Sequence, residues 1–495
     1  MFTKYLYSKQ PDANGLKDRY VFMFLAVLAF IVRLPFFFRD YIDRDESTFI
    51  LMAESWVNGH LPYTELWDLK PPLVYLLFAG VISIFGKSFI AIRTAGVLAV
   101  SITAFFTYLL GKQLGSRQMG LLTGVVCVYL LSLFGSLQGV MSEHLSMIFF
   151  MPGLYLLINQ KNIWHVLFAG FFMGAAIMIK LNLAYAVALP ALYLISQGIR
   201  NRRPLKGFAE AMVFGSGLLT VVFLCWLPFG IEGHSRLWWN SVILAPLEYT
   251  EARRYSLLKL APIAVFTFLF FYIGFKTKWL PPRDQAVRLL SFAVIGVVLS
   301  FIQGGRVNGH YLIQFHPTFL VLAGIVLQRA LPPLTAKWKS WGVLVFLLLP
   351  MESYKEYYDV VRYKIERGTF FNGEGFSVPA YLERNNMETT DVFFLEYHIG
   401  YWLLPANPPT RAATHPSNLC RDELFRFYDN PRETSMEELA YIMDTLRPEI
   451  VVTRYERRIF GEKEEEENQY MLNYLQTHYE VVALVDRAEI HRRLE

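Results

Sequence analysis

The feature that most constrains this chain is a series of apolar blocks separated by short basic loops. Each block is about 20 residues long, the length a helix needs to cross the hydrocarbon core of a bilayer. Composition agrees: the 495 residues are 54% hydrophobic and only 18% charged, and the charges fall between the blocks. The net charge of +5 comes from those short loops, so it carries no nucleic-acid signature. Three scattered cysteines, Cys127, Cys225 and Cys420, make neither a disulfide framework nor a zinc spacing. The first block lacks a small-residue cleavage site, and it reads as a retained anchor.

Lys4, Lys9, Lys17 and Arg19 precede the first block, and a basic lead favours a cytoplasmic N-terminus. Spans are expected at about 20–38, 90–111, 119–136, 143–158, 164–179, 182–198, 207–229, 258–275, 287–303, 311–327 and 340–350. Leu73 to Phe85 is only 13 residues long, so it is expected to lie along the surface or re-enter rather than cross. Parity offers a second argument. If that segment does not cross, nearly every short basic loop faces the cytoplasm, as the positive-inside bias demands. If it crosses, the same loops face outward.

Residues 351–495 change character. They are charged, with strand-like runs at Asp391 to Glu396, Ile450 to Arg454 and Glu480 to Val485. Helical patterns lie between, at Ser435 to Leu446 and Glu464 to His478, and Ser435 with Glu438 reads as a capping box. The alternation predicts a small α/β domain on the outer side. It contains no phosphate loop, metal motif or nucleophile elbow, and is read as a binding or stabilising domain without catalytic residues. The expected architecture is therefore an α-helical polytopic membrane domain of about eleven spans over 1–350, followed by an extracytoplasmic α/β domain over 351–495. The first outer loop, 39–89, carries juxtamembrane helices.

That loop holds the chemistry. Asp43, Arg44, Asp45 and Glu46 stand in a row at its start. An amphipathic segment, Ser47 to Val57, follows, and the stretch closes on Trp67, Asp68, Lys70 and two prolines. Carboxylates at the lip of a membrane segment are costly unless solvated or paired, so they mark a candidate site.

The Asp-Glu pair, the helix, HLPYTELWDLKPPL and then FGKSFIAIR resemble the first outer loop of GT-C glycosyltransferases. The likeness covers about residues 20–330 and points to the branch holding protein O-mannosyltransferases and lipid A aminoarabinose transferases. It implies sugar transfer from a polyprenyl-phosphate carrier to a lipid, polysaccharide or protein acceptor. It also implies a bacterial inner-membrane protein with its active site and C-terminal domain on the periplasmic side.

Such a reaction needs a base for the acceptor hydroxyl, room for positive charge at the anomeric carbon, and cations for the leaving phosphate. By resemblance Asp45 takes the role of base or acceptor-orienting group. Its neighbour Glu46 is read as holding local structure, against Arg44 or Lys70, and Glu143 is the second acidic candidate. His144 beside it reads as a packed histidine. For the phosphate, Arg306, His310 and Tyr311 in GGRVNGHYLIQFHP resemble the family's Arg-then-His-Tyr element. Lys70 lies in the Lys-Pro-Pro closure. Lys180 keeps the charge of the family's position, although Leu181 follows where relatives carry Pro or Gly. Arg253 and Arg254 fall in the loop that relatives place near the lipid donor.

No ligand spacing demands a metal. Members of the superfamily differ in using a divalent cation, so that question stays open, and no cofactor is assigned. The competing function class is a transporter or flippase of lipid-linked sugars. It would favour internal repeats and midplane polar residues, whereas here the polar residues sit at helix ends and no repeat is visible.

Overall fold

The computed structural model describes residues 17–40, 43–253, 257–331, 342 and 344–494. Among them, seven helical stretches are long and apolar enough to cross a membrane: Asp18–Phe38, Phe89–Leu114, Leu181–Arg200, Pro204–Ile231, Leu258–Lys276, Gln285–Gly304 and Gly309–Ala330. Three further expected spans are shorter helices, Arg117–Leu130, Ser142–Ile158 and Ile163–Ile177, and Leu73–Phe85 is a 13-residue helix. The eleventh expected span, 340–350, falls partly outside the described residues; 344–348 are helical. The chain is a multi-pass helical membrane protein.

The shortness of Arg117–Leu130 has a physical reason. Residues 131–141 leave the helix, turning through the 3₁₀ segment Gly135–Gln138 before Ser142–Ile158 begins. Irregular backbone at a helix end is tolerated where its polar groups are satisfied inside the protein. Arg33, buried at the end of the first helix, satisfies them. Its guanidinium donates to the carbonyls of Leu131 at 3.2 Å, Leu137 at 2.7 Å, Gln138 at 3.2 Å and Gly139 at 2.7 Å. Val140 then donates its N–H to Glu46 at 2.7 Å. One buried arginine thus fixes the segment leading to Glu143.

Helices Ile163–Ile177 and Pro204–Ile231 touch through glycine. A Cβ at Gly170 would come within 2.0 Å of the Phe214 carbonyl oxygen, one at Gly217 within 2.3 Å of Leu167's, and one at Gly174 within 2.8 Å of Leu218's. Backbones this close gain dispersion contacts that lipid cannot replace.

After the first apolar helix, helix Arg44–Val57 is capped by Asp43, whose side chain accepts from the Asp45 N–H at 2.9 Å. It packs on Leu73–Phe85 through Phe49 and Phe78, with ring centroids 5.8 Å apart.

The C-terminal region holds a four-stranded sheet of β1 (Val392–Phe394), β2 (Ile450–Arg454), β3 (Tyr479–Val485) and β4 (Ala488–Arg493), in the order β1-β2-β4-β3. β1 and β2 run parallel, Val392 facing Ile450; the other pairs are antiparallel. The fourth strand was not expected, and the cap sits one residue earlier than expected. Thr434 accepts from the Glu437 N–H at 3.2 Å, while Ser435 lies inside the helix and donates to Glu467. The region is stitched to the membrane helices by two backbone bonds, Asp40 N–H to Asn372 O at 3.1 Å and Asn372 N–H to Phe38 O at 2.9 Å.

Candidate active site

A cavity of about 370 Å³ opens where the loop after the first apolar helix, the ends of several other apolar helices and the C-terminal region meet. Asp45 lines it from the first turn of helix Arg44–Val57, with its side chain 22% exposed. Lys70 places its Nζ 3.2 Å from Asp45 Oδ2, and His415 its Nε2 3.6 Å from Oδ1. Burial alone would raise the Asp45 carboxyl; the Lys70 ammonium and His415 outweigh it and hold the group well below the usual carboxylate range. Lys70 is also buried, which disfavours its charge, but Asp45 and Asp68 more than restore it and push the ammonium up. Asp43 takes the opposite course. Burial and the neighbouring Asp45 charge raise its carboxyl, although Ser136 donates a hydroxyl to it at 2.5 Å.

Glu143 stands on another side of the same region, in the first turn of Ser142–Ile158. It is fully buried. Lys180 Nζ lies 2.7 Å from its Oε1, His310 Nε2 lies 4.0 Å away, and Ser142 donates to Oε2 at 3.1 Å. The Lys180 ammonium also lies 4.9 Å from the Tyr311 ring centroid, a cation–π distance. Lys180, His310 and Tyr311 all line the cavity.

A third cluster forms the rim. Arg306 donates from Nε to the Arg253 carbonyl at 2.8 Å and from Nη1 to the Tyr249 hydroxyl. The Arg306 and Arg421 guanidiniums lie 4.4 and 4.7 Å from the Tyr249 ring centroid. Burial would raise the Tyr249 hydroxyl, yet the two arginines lower it.

The cavity therefore gathers Asp45, Lys70, Lys180, Arg306, His310 and Tyr311. Glu143 stands directly behind Lys180. Two other expected site residues lie elsewhere. Glu46 is turned away from the cavity and buried against Arg93, Oε2 to Nη2 at 2.7 Å; its partner is neither Arg44 nor Lys70. Arg44 pairs with Glu396 instead. Arg253 faces the C-terminal region, bound to Glu423 at 2.7 Å, to Glu464 at 2.5 Å and to the Cys420 carbonyl at 2.9 Å. Arg254 lies outside the described residues. His144 is a packed histidine, accepting from Met141 N–H at 3.1 Å and bonded to the Leu131 carbonyl at 2.8 Å.

The structure adds residues that sequence reasoning missed. Asp43 is one; its only signal was adjacency to Asp45. Tyr249, His415 and Arg421 are the others, and nothing local marks them. The C-terminal region, read from sequence as a binding or stabilising domain without catalytic residues, supplies two of these cavity-lining residues. Among the described residues no three His, Cys, Asp or Glu side chains are grouped as metal ligands. Asp45 and Glu143 are each engaged by a lysine, which would compete with a cation.

Comparisons with known proteins agree with this architecture. Residues 69–229, about a third of the chain, match the family model for dolichyl-phosphate-mannose-protein mannosyltransferase. A crystal structure of ArnT from Cupriavidus metallidurans bound to undecaprenyl phosphate shares the fold at TM-score 0.58 and 14% identity, covering 97% of this chain and 99% of that one. The apo form of the same protein aligns at TM-score 0.60 and 12% identity, over 96% and 98%. No curated protein matches the chain by sequence. Fold and family match point the same way: the chain shares the fold of the ArnT structures, and residues 69–229 match a protein mannosyltransferase family model.

Proposed function

We propose that the chain moves a sugar from a polyprenyl-phosphate carrier to a hydroxyl of a lipid, glycan or protein acceptor, at the outer face of a bacterial inner membrane. One observation carries the reading. A single cavity holds a solvent-touching carboxylate, Asp45, with three cations, Lys70, Lys180 and Arg306, drawn from three separate stretches of chain.

The chemistry follows from that set. The acceptor hydroxyl meets Asp45, which takes its proton as the oxygen attacks the anomeric carbon. The bond from that carbon to the phosphate oxygen breaks, and the phosphate leaves into the field of Lys70, Lys180 and Arg306, with His310 and Tyr311 beside it. Before the donor enters, Lys70 keeps Asp45 too weak a base. A phosphate that draws Lys70 to itself and adds negative charge returns basicity to the carboxylate, so donor binding readies the base.

The test is transfer of radiolabelled sugar from a polyprenyl-phosphate donor by purified protein in nanodiscs. Asp45→Asn keeps shape but cannot take the proton, and should lower turnover roughly 10²–10⁴-fold while donor binding survives. Near-parental turnover in a well-folded Asp45→Asn protein would remove Asp45 from the role of base.

A further inference from the structure

The C-terminal region reaches the cavity through the turn that begins at His415. The His415 side chain is 8% exposed, and its Nε2 is 3.6 Å from Asp45 Oδ1. Its other nitrogen settles the tautomer. The Ser417 N–H donates to Nδ1 at 3.1 Å, so Nδ1 is the acceptor and the neutral ring carries its proton on Nε2, toward the carboxylate. The turn cannot drift from the outer loop. Thr414 Oγ1 accepts the Trp67 N–H at 3.2 Å on one side of His415, and Arg44 donates to Ser417 Oγ at 3.3 Å on the other. At 3.6 Å the imidazole contact is longer than a closed hydrogen bond, as contacts in empty active sites often are before substrate tightens them.

We propose that His415 is a positioning residue for sugar transfer, and that the C-terminal domain thereby completes the active site. Lys70 takes Oδ2 of Asp45 and His415 takes Oδ1. Together they hold the rotamer of the carboxylate before the donor enters, and His415 keeps the lone pairs it offers the acceptor in place once the phosphate has drawn Lys70 away. The proposal rests on Asp45 as base. The other groups around His415 are Asp68 on the outer loop and Arg421 and His398 on its own region, the His398 ring centroid lying 5.9 Å away. Arg421 opposes protonation of His415, Asp45 and Asp68 favour it, and burial opposes it most. The net direction is downward, so His415 is neutral at pH 7.

Two substitutions separate positioning from mere support of the turn. His415→Asn puts an amide oxygen near the place of Nδ1, keeping the Ser417 bond, but is too short to reach Asp45. His415→Gln can extend an N–H toward Asp45 while losing the Ser417 bond. Turnover, donor KM and the pH profile are measured in nanodiscs for both, with folding checked by gel filtration. Positioning requires His415→Asn to lose kcat on the order of 10–100-fold, the scale for removing a group that orients a reactive ligand, with donor KM unchanged. The acid limb of its profile moves to higher pH, because Asp45 has lost a donor that lowered it. His415→Gln recovers most of the rate. Parental kcat in His415→Asn, or a slow variant with an unmoved acid limb, overturns the proposal. If Asp45→Asn itself stays active, the fault lies with the base assignment; if it is inactive and His415→Asn is parental, only the role of His415 falls.

Discussion

Two sets of one carboxylate, one lysine and one histidine face one region of this protein: Asp45, Lys70 and His415, and Glu143, Lys180 and His310. They differ in burial and in origin. The Asp45 side chain is 22% exposed and its set is built from the outer loop and the C-terminal region. Glu143 is 0% exposed and its set stands on the ends of membrane helices. Lysine closes to 2.7 Å on Glu143 but stays at 3.2 Å from Asp45. A carboxylate with no exposed surface cannot meet an acceptor hydroxyl; it can orient the lysine in front of it. Similar groups thus sit in two environments, one that water reaches and one that it does not.

The contrast can be broken most directly by neutralising each carboxylate in turn. Asp45→Asn should cost roughly 10²–10⁴-fold in turnover with little change in stability. Glu143→Gln should do the reverse, stranding the buried Lys180 charge and destabilising the fold by about 3–5 kcal/mol, read as the unfolding midpoint in nanodiscs. Adding Lys180→Met should return part of that stability, and the double-mutant cycle measures the pair. Equal effects of the two single changes on rate and stability would erase the distinction. Next in size, Arg306→Ala should weaken donor binding by about 1.5–3 kcal/mol, the worth of hydrogen bonds to a charged group, measured by titration with polyprenyl phosphate. A pH profile sharpens the picture further. Lys70 is the largest influence holding Asp45 down, so Lys70→Met should move the acid limb of activity to higher pH. The smallest effect is expected from Arg253→Ala, which loosens partly exposed ion pairs to Glu423 and Glu464 and should leave donor affinity near parental.

What could be read without coordinates had a local cause. Apolar block length announces a helix because each block must satisfy its own backbone bonds. Strand Ile450–Arg454 was legible because its first three residues, buried on both faces, are β-branched. Strand Ala488–Arg493 was not, since AEIHRR mixes charged and apolar residues, and the strand owes its form to its partners β2 and β3 on either side. The site divides the same way. Asp45 and Lys70 share one short stretch, whereas His415 reaches Asp45 across 370 positions of chain. Arg253 shows the limit of charge counting. The resemblance puts it in a loop that relatives place near the lipid donor, but does not show that it pairs with Glu423 and Glu464.

The glycine contacts between Ile163–Ile177 and Pro204–Ile231 bear on Lys180, three residues beyond the first of these helices. Backbones that meet without side chains between them cannot slide or rock independently. The lysine's stem can swing, but its mounting is fixed. The mounting is therefore a fixed post, and under the proposed function a lipid-borne phosphate, free to diffuse in the plane of the bilayer, would come to it. A methyl group added at Gly170 or Gly217 would tilt the post. The charge would then be present in full and in the wrong place, a defect visible as lost alignment with Tyr311 and Glu143 rather than as lost attraction.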